Sequence, residues 1–148
     1  MPEALLNEQV IGQIREAFSG LQEPVAILFF GSRENCDYCD DTRQLLEEVA
    51  AIDNRLTIKV HDIDADADIA ELYRVDKTPG IVLAALNGDR FSDFGIQYSG
   101  IPSGHEFSTL IQAILLVSGR DSGLNPQTRE FLKTLESPLH LQVFVTPT

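Results

Sequence analysis

The sequence has no tryptophan, a single methionine and only two cysteines, Cys36 and Cys39. Two cysteines exclude a disulfide scaffold. Standing so close together, they would constrain almost nothing by closing a loop, so their use lies in chemistry. Basic residues are scarce: 11 Lys and Arg face 23 Asp and Glu, a net charge of -12. Such a chain is repelled by nucleic-acid phosphates and by anionic lipid, so neither is an expected partner. No apolar run approaches the ~20 residues of a membrane span. The opening Met1-Pro2-Glu3 lacks the basic stretch and apolar run of a secretory signal, which points to the cytoplasm. What remains, 148 residues of which 43% are hydrophobic, suits one folded domain with at most a short extension.

Hydrophobic spacing lays out the elements. Leu6, Val10, Ile14 and Phe18 fall at intervals of four and predict a helix over 3–18. Val25 to Phe30 is a continuous apolar run, as expected of a central strand covered on both faces. After the turn at residues 31–35, Asn35 is placed to cap a helix beginning near Cys36, with Leu45, Leu46, Val49 and Ile52 as its buried stripe. Leu56 to His61 alternates like a strand at the side of a sheet. A short helix follows over 66–73. Gly80 to Leu86 and Phe91 to Tyr98 read as strands joined by a type I′ turn at Asn87-Gly88. A helix over 106–117 closes the unit. A crossover through the helix at Cys36 makes the first two strands parallel, and the hairpin adds an antiparallel pair. The expectation is an α/β fold: a four-stranded mixed sheet flanked by helices.

The end of the chain differs in charge. Residues 1–119 hold 20 acidic and 8 basic side chains, whereas residues 120–148 hold three of each. The break falls in the glycine-rich stretch 118–123, read as a linker. Beyond it, Pro126 to Leu135 predicts a helix and Leu139 to Val145 a strand. Helix, proline and apolar strand repeat the order of the chain's beginning. Residues 1–119 are therefore expected to form one complete unit, and 120–148 a linker plus the opening of a second.

The chemistry sits in Cys36-Asp37-Tyr38-Cys39. At a helix start, this spacing exposes the first sulfur and draws the second one turn inward. The first can attack a disulfide as a thiolate and the second can resolve the mixed disulfide. The helix dipole would stabilise the thiolate; Asp37 works against it and Arg33 could work with it. Half of a metal site and inert thiols are the competing readings. Tetrahedral zinc needs four ligands, and a second cysteine pair is absent. His61, His105 and His140 read as surface or capping residues. Pro79 either starts its strand or forms a cis bond with Thr78 that faces the cysteines.

The strand, the Cys36–Cys39 helix and Thr78-Pro79 resemble the thioredoxin and glutaredoxin superfamily. More narrowly, residues 1–119 resemble the first unit of the protein disulfide oxidoreductases built from two thioredoxin-like units. Gly100-Ile101-Pro102-Ser103-Gly104-His105-Glu106-Phe107-Ser108-Thr109-Leu110 looks like the start of the last helix in these units, and residues 124–148 like their crossing segment and next strand. The resemblance implies a thioredoxin-like fold with an extra C-terminal helix and strand, cut short before a second cysteine pair. It implies Cys36 as nucleophile, Cys39 as resolving thiol and Pro79 as the cis proline, with Thr78 and Tyr38 contacting substrate. Thioredoxins carry a buried aspartate six positions before the first cysteine; here that position is Phe30. The basic glutathione groove of glutaredoxins has little counterpart beyond Lys77.

Other motifs fail. Asp62, Asp64, Asp66 and Asp68 alternate, but a calcium loop starting at Asp62 would need glycine at Ala67 and glutamate at Tyr73. No phosphate-cradling, flavin or nicotinamide fingerprint is present, so no bound cofactor is expected. Electrons must then come from a partner reductase or a small thiol. The leading expectation is a dithiol–disulfide oxidoreductase acting on protein disulfides. One alternative is an electron-relay module of a peroxiredoxin-reducing system. The flavoprotein of that system resembles this chain around Gly104 to Phe107, although its first unit lacks the cysteine pair. The other alternative is a non-catalytic scaffold, including a homodimer formed through residues 124–148.

Overall fold

The computed structural model describes residues 3–146; residues 1, 2, 147 and 148, at the ends of the expected first unit and tail, lie outside the described residues. The described residues form, in order, α1 (Glu8–Phe18), β1 (Val25–Gly31), α2 (Cys39–Ala50), β2 (Leu56–Asp62), α3 (Ala67–Leu72), β3 (Gly80–Asn87), β4 (Arg90–Ser99), α4 (His105–Ser118) and α5 (Pro126–Lys133). The strands form one mixed sheet in the order β2-β1-β3-β4. β1 runs parallel to β2 and antiparallel to β3, and β3 is antiparallel to β4.

β1 is central, and its composition follows from that. All seven residues are buried. Val25, Ile27 and Phe29 pack into a core shared with α1, α2 and α4. Ala26, Leu28 and Phe30 face the other way, into a smaller core with Ala70 of α3. Successive side chains of a strand alternate faces, so a strand covered on both sides reads as one apolar run.

Local chemistry moves several expected boundaries. α1 starts at Glu8 rather than residue 3, because Asn7 caps it by accepting the Val10 N–H. The hairpin loop is Gly88-Asp89, since Asn87 still pairs with Arg90. Positive φ occurs at Gly88 and not at Asp89, the pattern of a II′ turn rather than the expected I′ turn. β4 slips register against β3 between Leu83 and Ala84.

The stretch read as a linker is bound into the body at its start. The buried Ser118 hydroxyl donates to the Glu23 carbonyl and accepts the Gln22 N–H, both at 2.8 Å. Arg120 donates to the carbonyls of Val117, Pro24 and Leu86. α5 forms as expected, with Asn125 capping Thr128 and Pro126 in the first turn. None of its residues is buried, and an Arg129–Asp121 ion pair at 2.8 Å ties it to the preceding loop. The strand expected over 139–145 does not form. A strand is held by a neighbour's backbone, and no described strand pairs with this segment. The extra C-terminal structure is therefore a helix alone.

Candidate functional site

β1 carries the chain through the sheet and releases it at Gly31, at the edge of a loop that holds the cysteines. Cys36 and Cys39 are joined by a disulfide with their Cα atoms 5.5 Å apart. Cys36 is half-buried and Cys39 is 6% exposed. α2 begins at Cys39, three residues later than the expected start at Cys36. Asn35 is not its cap: it sits at φ 54°, inside the turn, and Tyr38 takes the cap position without a side-chain bond. The Tyr38 carbonyl accepts the Thr42 N–H at 2.9 Å and the buried Thr42 hydroxyl at 2.6 Å, which fixes the first turn. The Tyr38 side chain is 57% exposed, and Asp37 beside it is exposed.

The Thr78–Pro79 peptide bond is cis. Phe30 pairs with Gly80, so Pro79 comes next to the end of β1, at the end of the sheet from which the cysteine loop departs. Pro79 is buried, its carbonyl accepts the Gly100 N–H at 2.8 Å, and Thr78 is half-buried. The Arg33 side chain is 93% exposed, and its Nε lies 3.9 Å from Asp62 Oδ2.

The faces of β1 change one expectation. Phe30, six positions before Cys36, points into the α3 core and stacks on His61 with ring centroids 5.1 Å apart. Phe29 shares the α2 core with Cys39. Gly31 points the same way: a Cβ there would lie 2.9 Å from the Phe29 ring and 3.6 Å from Cys39 Sγ. The residues of β1 that face the inner sulfur are thus Phe29 and Gly31. His61, expected at the surface, is half-buried with its Nδ1 3.5 Å from Asp66 Oδ2.

Beyond the carboxyl ends of β1 and β2 lies a pocket of about 400 Å³ reaching Cys39, with Gly31, Arg33, Asp40, Arg43, His61, Asp62 and Asp66 among its walls. α2 and α3 leave these two parallel strands for opposite faces of the sheet, and such a switch point opens a crevice. In the sequence, the acidic run 62–68 was the signal for this pocket. It reads as a solvated loop because only the parallel register shows which of these aspartates stands at the end of β2 beside Gly31.

No family model matches the chain. An alkyl hydroperoxide reductase component from Staphylococcus epidermidis is 30% identical over 144 residues, which are 97% of this chain and 25% of that protein. Its counterpart from Pseudomonas aeruginosa is 25% identical over 95% of the chain. Among solved structures, a protein disulfide oxidoreductase from Aeropyrum pernix superposes with a TM-score of 0.80 at 26% identity, over 99% of this chain and 62% of that one. The NTD_N/C domain of alkylhydroperoxide reductase AhpF from Enterococcus faecalis gives a TM-score of 0.74 at 27% identity, over 84% of this chain and 58% of that one. The chain matches the N-terminal thioredoxin-like unit of the two-unit protein disulfide oxidoreductases. It spans about a quarter of the length of the curated relatives it matches. In this thioredoxin-like unit, the closely spaced pair joined as a disulfide is the chemistry-bearing feature, and no described helix is long and apolar enough to cross a membrane.

Proposed function

We propose that the Cys36–Cys39 pair is a dithiol–disulfide exchange centre that relays two electrons in a peroxide-reducing system. The observation that carries this reading is the asymmetric pair, with Cys36 half-open to solvent and Cys39 buried behind it. The Cys36 thiolate attacks an acceptor disulfide and releases one acceptor sulfur as a thiolate. Cys39 then attacks Cys36 Sγ and releases the second. The acceptor gains two electrons and the pair closes as the disulfide seen here. A partner reductase or a small thiol reopens it. In this reading Thr78 and Tyr38 serve as contacts for the acceptor chain, Pro79 is the cis proline that orients Thr78, and Arg33 and Asp37 tune the charge around the loop.

The names of the relatives favour a relay: proteins called alkyl hydroperoxide reductase match nearly the whole chain. A relative from Ferdinandcohnia aciditolerans is called an NADH dehydrogenase, which fits electrons arriving from a nicotinamide-using partner. General reduction of protein disulfides, the leading expectation from the sequence, becomes the second reading. It keeps the support of the Aeropyrum pernix protein disulfide oxidoreductase, which matches over 99% of the chain.

The test is turnover with a supplied dithiol. Cys36→Ser should abolish reduction of every disulfide acceptor, and Cys39→Ser should accumulate mixed disulfides on non-reducing gels. Faster reduction of an oxidised peroxiredoxin than of insulin supports the relay, and the reverse supports general exchange. Undiminished activity of the Cys36 variant would refute both and leave a scaffold.

A further inference from the structure

The late start of α2 poses a question of acidity. A helix N-terminus stabilises a thiolate on the residue closest to it. Here that residue is Cys39, the first of α2, while Cys36 stands three positions outside the helix. Left to the dipole alone, the buried sulfur would ionise first and the exposed one would be the poorer nucleophile. Burial of Cys39 opposes this, because a thiolate is costly away from water.

A charge opposes it too, and it comes from the neighbouring strand. Gly31 pairs with Asp62 in the parallel ladder of β1 and β2. Leu56 and Ile58, an even number of positions before Asp62 and so on the same side, pack in the core beneath α2. Side chains alternate along a strand, so Asp62 belongs to the face that carries Cys39. Gly31, having no side chain, lets the Phe29 ring and Cys39 Sγ close in on this end of the strand: a Cβ there would lie 2.9 Å from the ring and 3.6 Å from the sulfur. Asp62 and Cys39 both line the pocket beyond the strand ends. Asp62 is also built to stay ionised. Its Oδ1 accepts the N–H groups of Ala65 and Asp64, each at 3.0 Å. These bonds hold its carboxyl below the ordinary aspartate value, Ala65 first, with a smaller pull from Arg33.

We propose that Asp62 is a positioning carboxylate that decides which sulfur attacks, by keeping the proton on Cys39 until Cys36 has formed its mixed disulfide. The proposal rests on the exchange chemistry above and adds the reason for its direction. In the first step Cys36 carries the negative charge. It bonds to one substrate sulfur, and the other leaves as a thiolate that takes a proton from water. In the second step Cys39 gives its proton to solvent in the pocket and bonds to Cys36, and the remaining substrate sulfur leaves with the electron pair. The other charged groups around this pocket are Arg33 from the loop after β1, Asp40 and Arg43 from α2, and His61 and Asp66 from the β2 side. The two arginines pull against Asp62. Arg33 is almost fully solvated, and Arg43 is bonded to Glu47 at 2.8 Å, so water and a second carboxylate weaken both.

Asp62→Asn keeps a carbonyl oxygen for the two N–H donors and removes the charge. In a Cys36→Ser background Cys39 is a lone thiol, and its alkylation by iodoacetamide is followed against pH. The midpoint should fall by about one pH unit in Asp62→Asn and hold in Asp62→Glu. With both cysteines present, a mixed disulfide on Cys36 should resolve about threefold faster at neutral pH. The thiolate rises roughly tenfold, and its lower nucleophilicity takes back a factor of about three. If Asp62→Asn fails to fold, Asp62→Ser in the same background serves instead: a serine hydroxyl can also accept from the turn's N–H groups, the charge is gone, and the midpoint should fall likewise. An unchanged midpoint in the folded variant overturns the proposal. The alkylation midpoint needs no substrate, so a chain that shows the shift but reduces no disulfide would overturn the exchange reading and leave the Asp62 charge effect standing.

Discussion

Two stretches of this chain share a pattern and meet opposite fates. Residues 8–31 run helix, proline, apolar strand; residues 126–145 run helix, proline, apolar segment. In the first, every residue of β1 is buried between two neighbouring strands. In the second, Leu141, Val143, Phe144 and Val145 are each at least 80% exposed and pair with no described strand. Both segments have the β-branched and aromatic content of a strand. The difference lies in partners: β1 has β2 and β3 on its flanks and helices on both faces, and a strand without a neighbour leaves its backbone to water.

The strongest way to break the comparison is to weaken β1. Phe30 is fully buried and sits between His61 and Tyr73, with ring centroids 5.1 and 6.4 Å away. Phe30→Ala should cost about 3–5 kcal/mol of unfolding free energy by urea titration, from lost burial and the cavity left behind. A loss under about 1 kcal/mol would mean that β1 is not the centre of the core.

The same contrast separates what the sequence could and could not show. The β1 run, the α2 stripe, the helix that became α4, the cysteine pair and Thr78-Pro79 were all legible, because each depends on near neighbours in the chain. The start of α2 was not. Asn35 has the chemistry of a cap, but its positive φ spends the residue on the turn. Nor was the face of Phe30, since a run that is apolar on both sides carries no alternation to read. Asp62 was visible only as part of an acidic run. Its place in the pocket that reaches Cys39 depends on the pairing of Gly31 with Asp62, a contact between distant parts of the chain that spacing does not encode. The strand expected over 139–145 failed because its formation belongs to a partner.

A smaller effect tests where the body ends. Ser118 is fully buried and bridges Gln22 and Glu23 across about a hundred residues of sequence. Ser118→Ala leaves both backbone groups short of a bond and should cost about 1–3 kcal/mol. If the stretch were only a linker, the substitution would be silent.

Acid sharpens the contrast further, because the body is tied by carboxylates. The Arg55 guanidinium bonded to Asp53 holds that carboxyl below its usual value. Burial pushes Glu48 upward, but hydrogen bonds from Leu5, Gln44 and Leu6 outweigh it, and its net direction is also down. A carboxyl lowered in the folded state contributes stability that is present above its unfolded pKa and lost as pH falls through the folded one. The thermal midpoint should therefore hold from neutral pH down to about 5 and decline below about 4. Asp53→Asn should flatten part of that decline.

The smallest effect belongs to the tail. Phe144 is 88% exposed, so in dilute solution Phe144→Ala removes almost no burial and should change the unfolding free energy by less than about 0.5 kcal/mol. The outcome is informative because it is the same chemical change as Phe30→Ala, made in a segment of the same apolar character. Concentration gives the comparison its second axis. Exposed apolar residues in a row, on α5 and over 139–145, form a surface that a second copy of the chain can cover. If it does, stability becomes dependent on concentration, and the tail substitution gains weight as the protein is raised to micromolar levels. Sedimentation should then show a dimer that reverts to a monomer when residues 124–148 are deleted. A monomer at every concentration, with and without residues 124–148, would show that the tail does not pair with a second copy and that its exposed apolar residues add nothing to self-association.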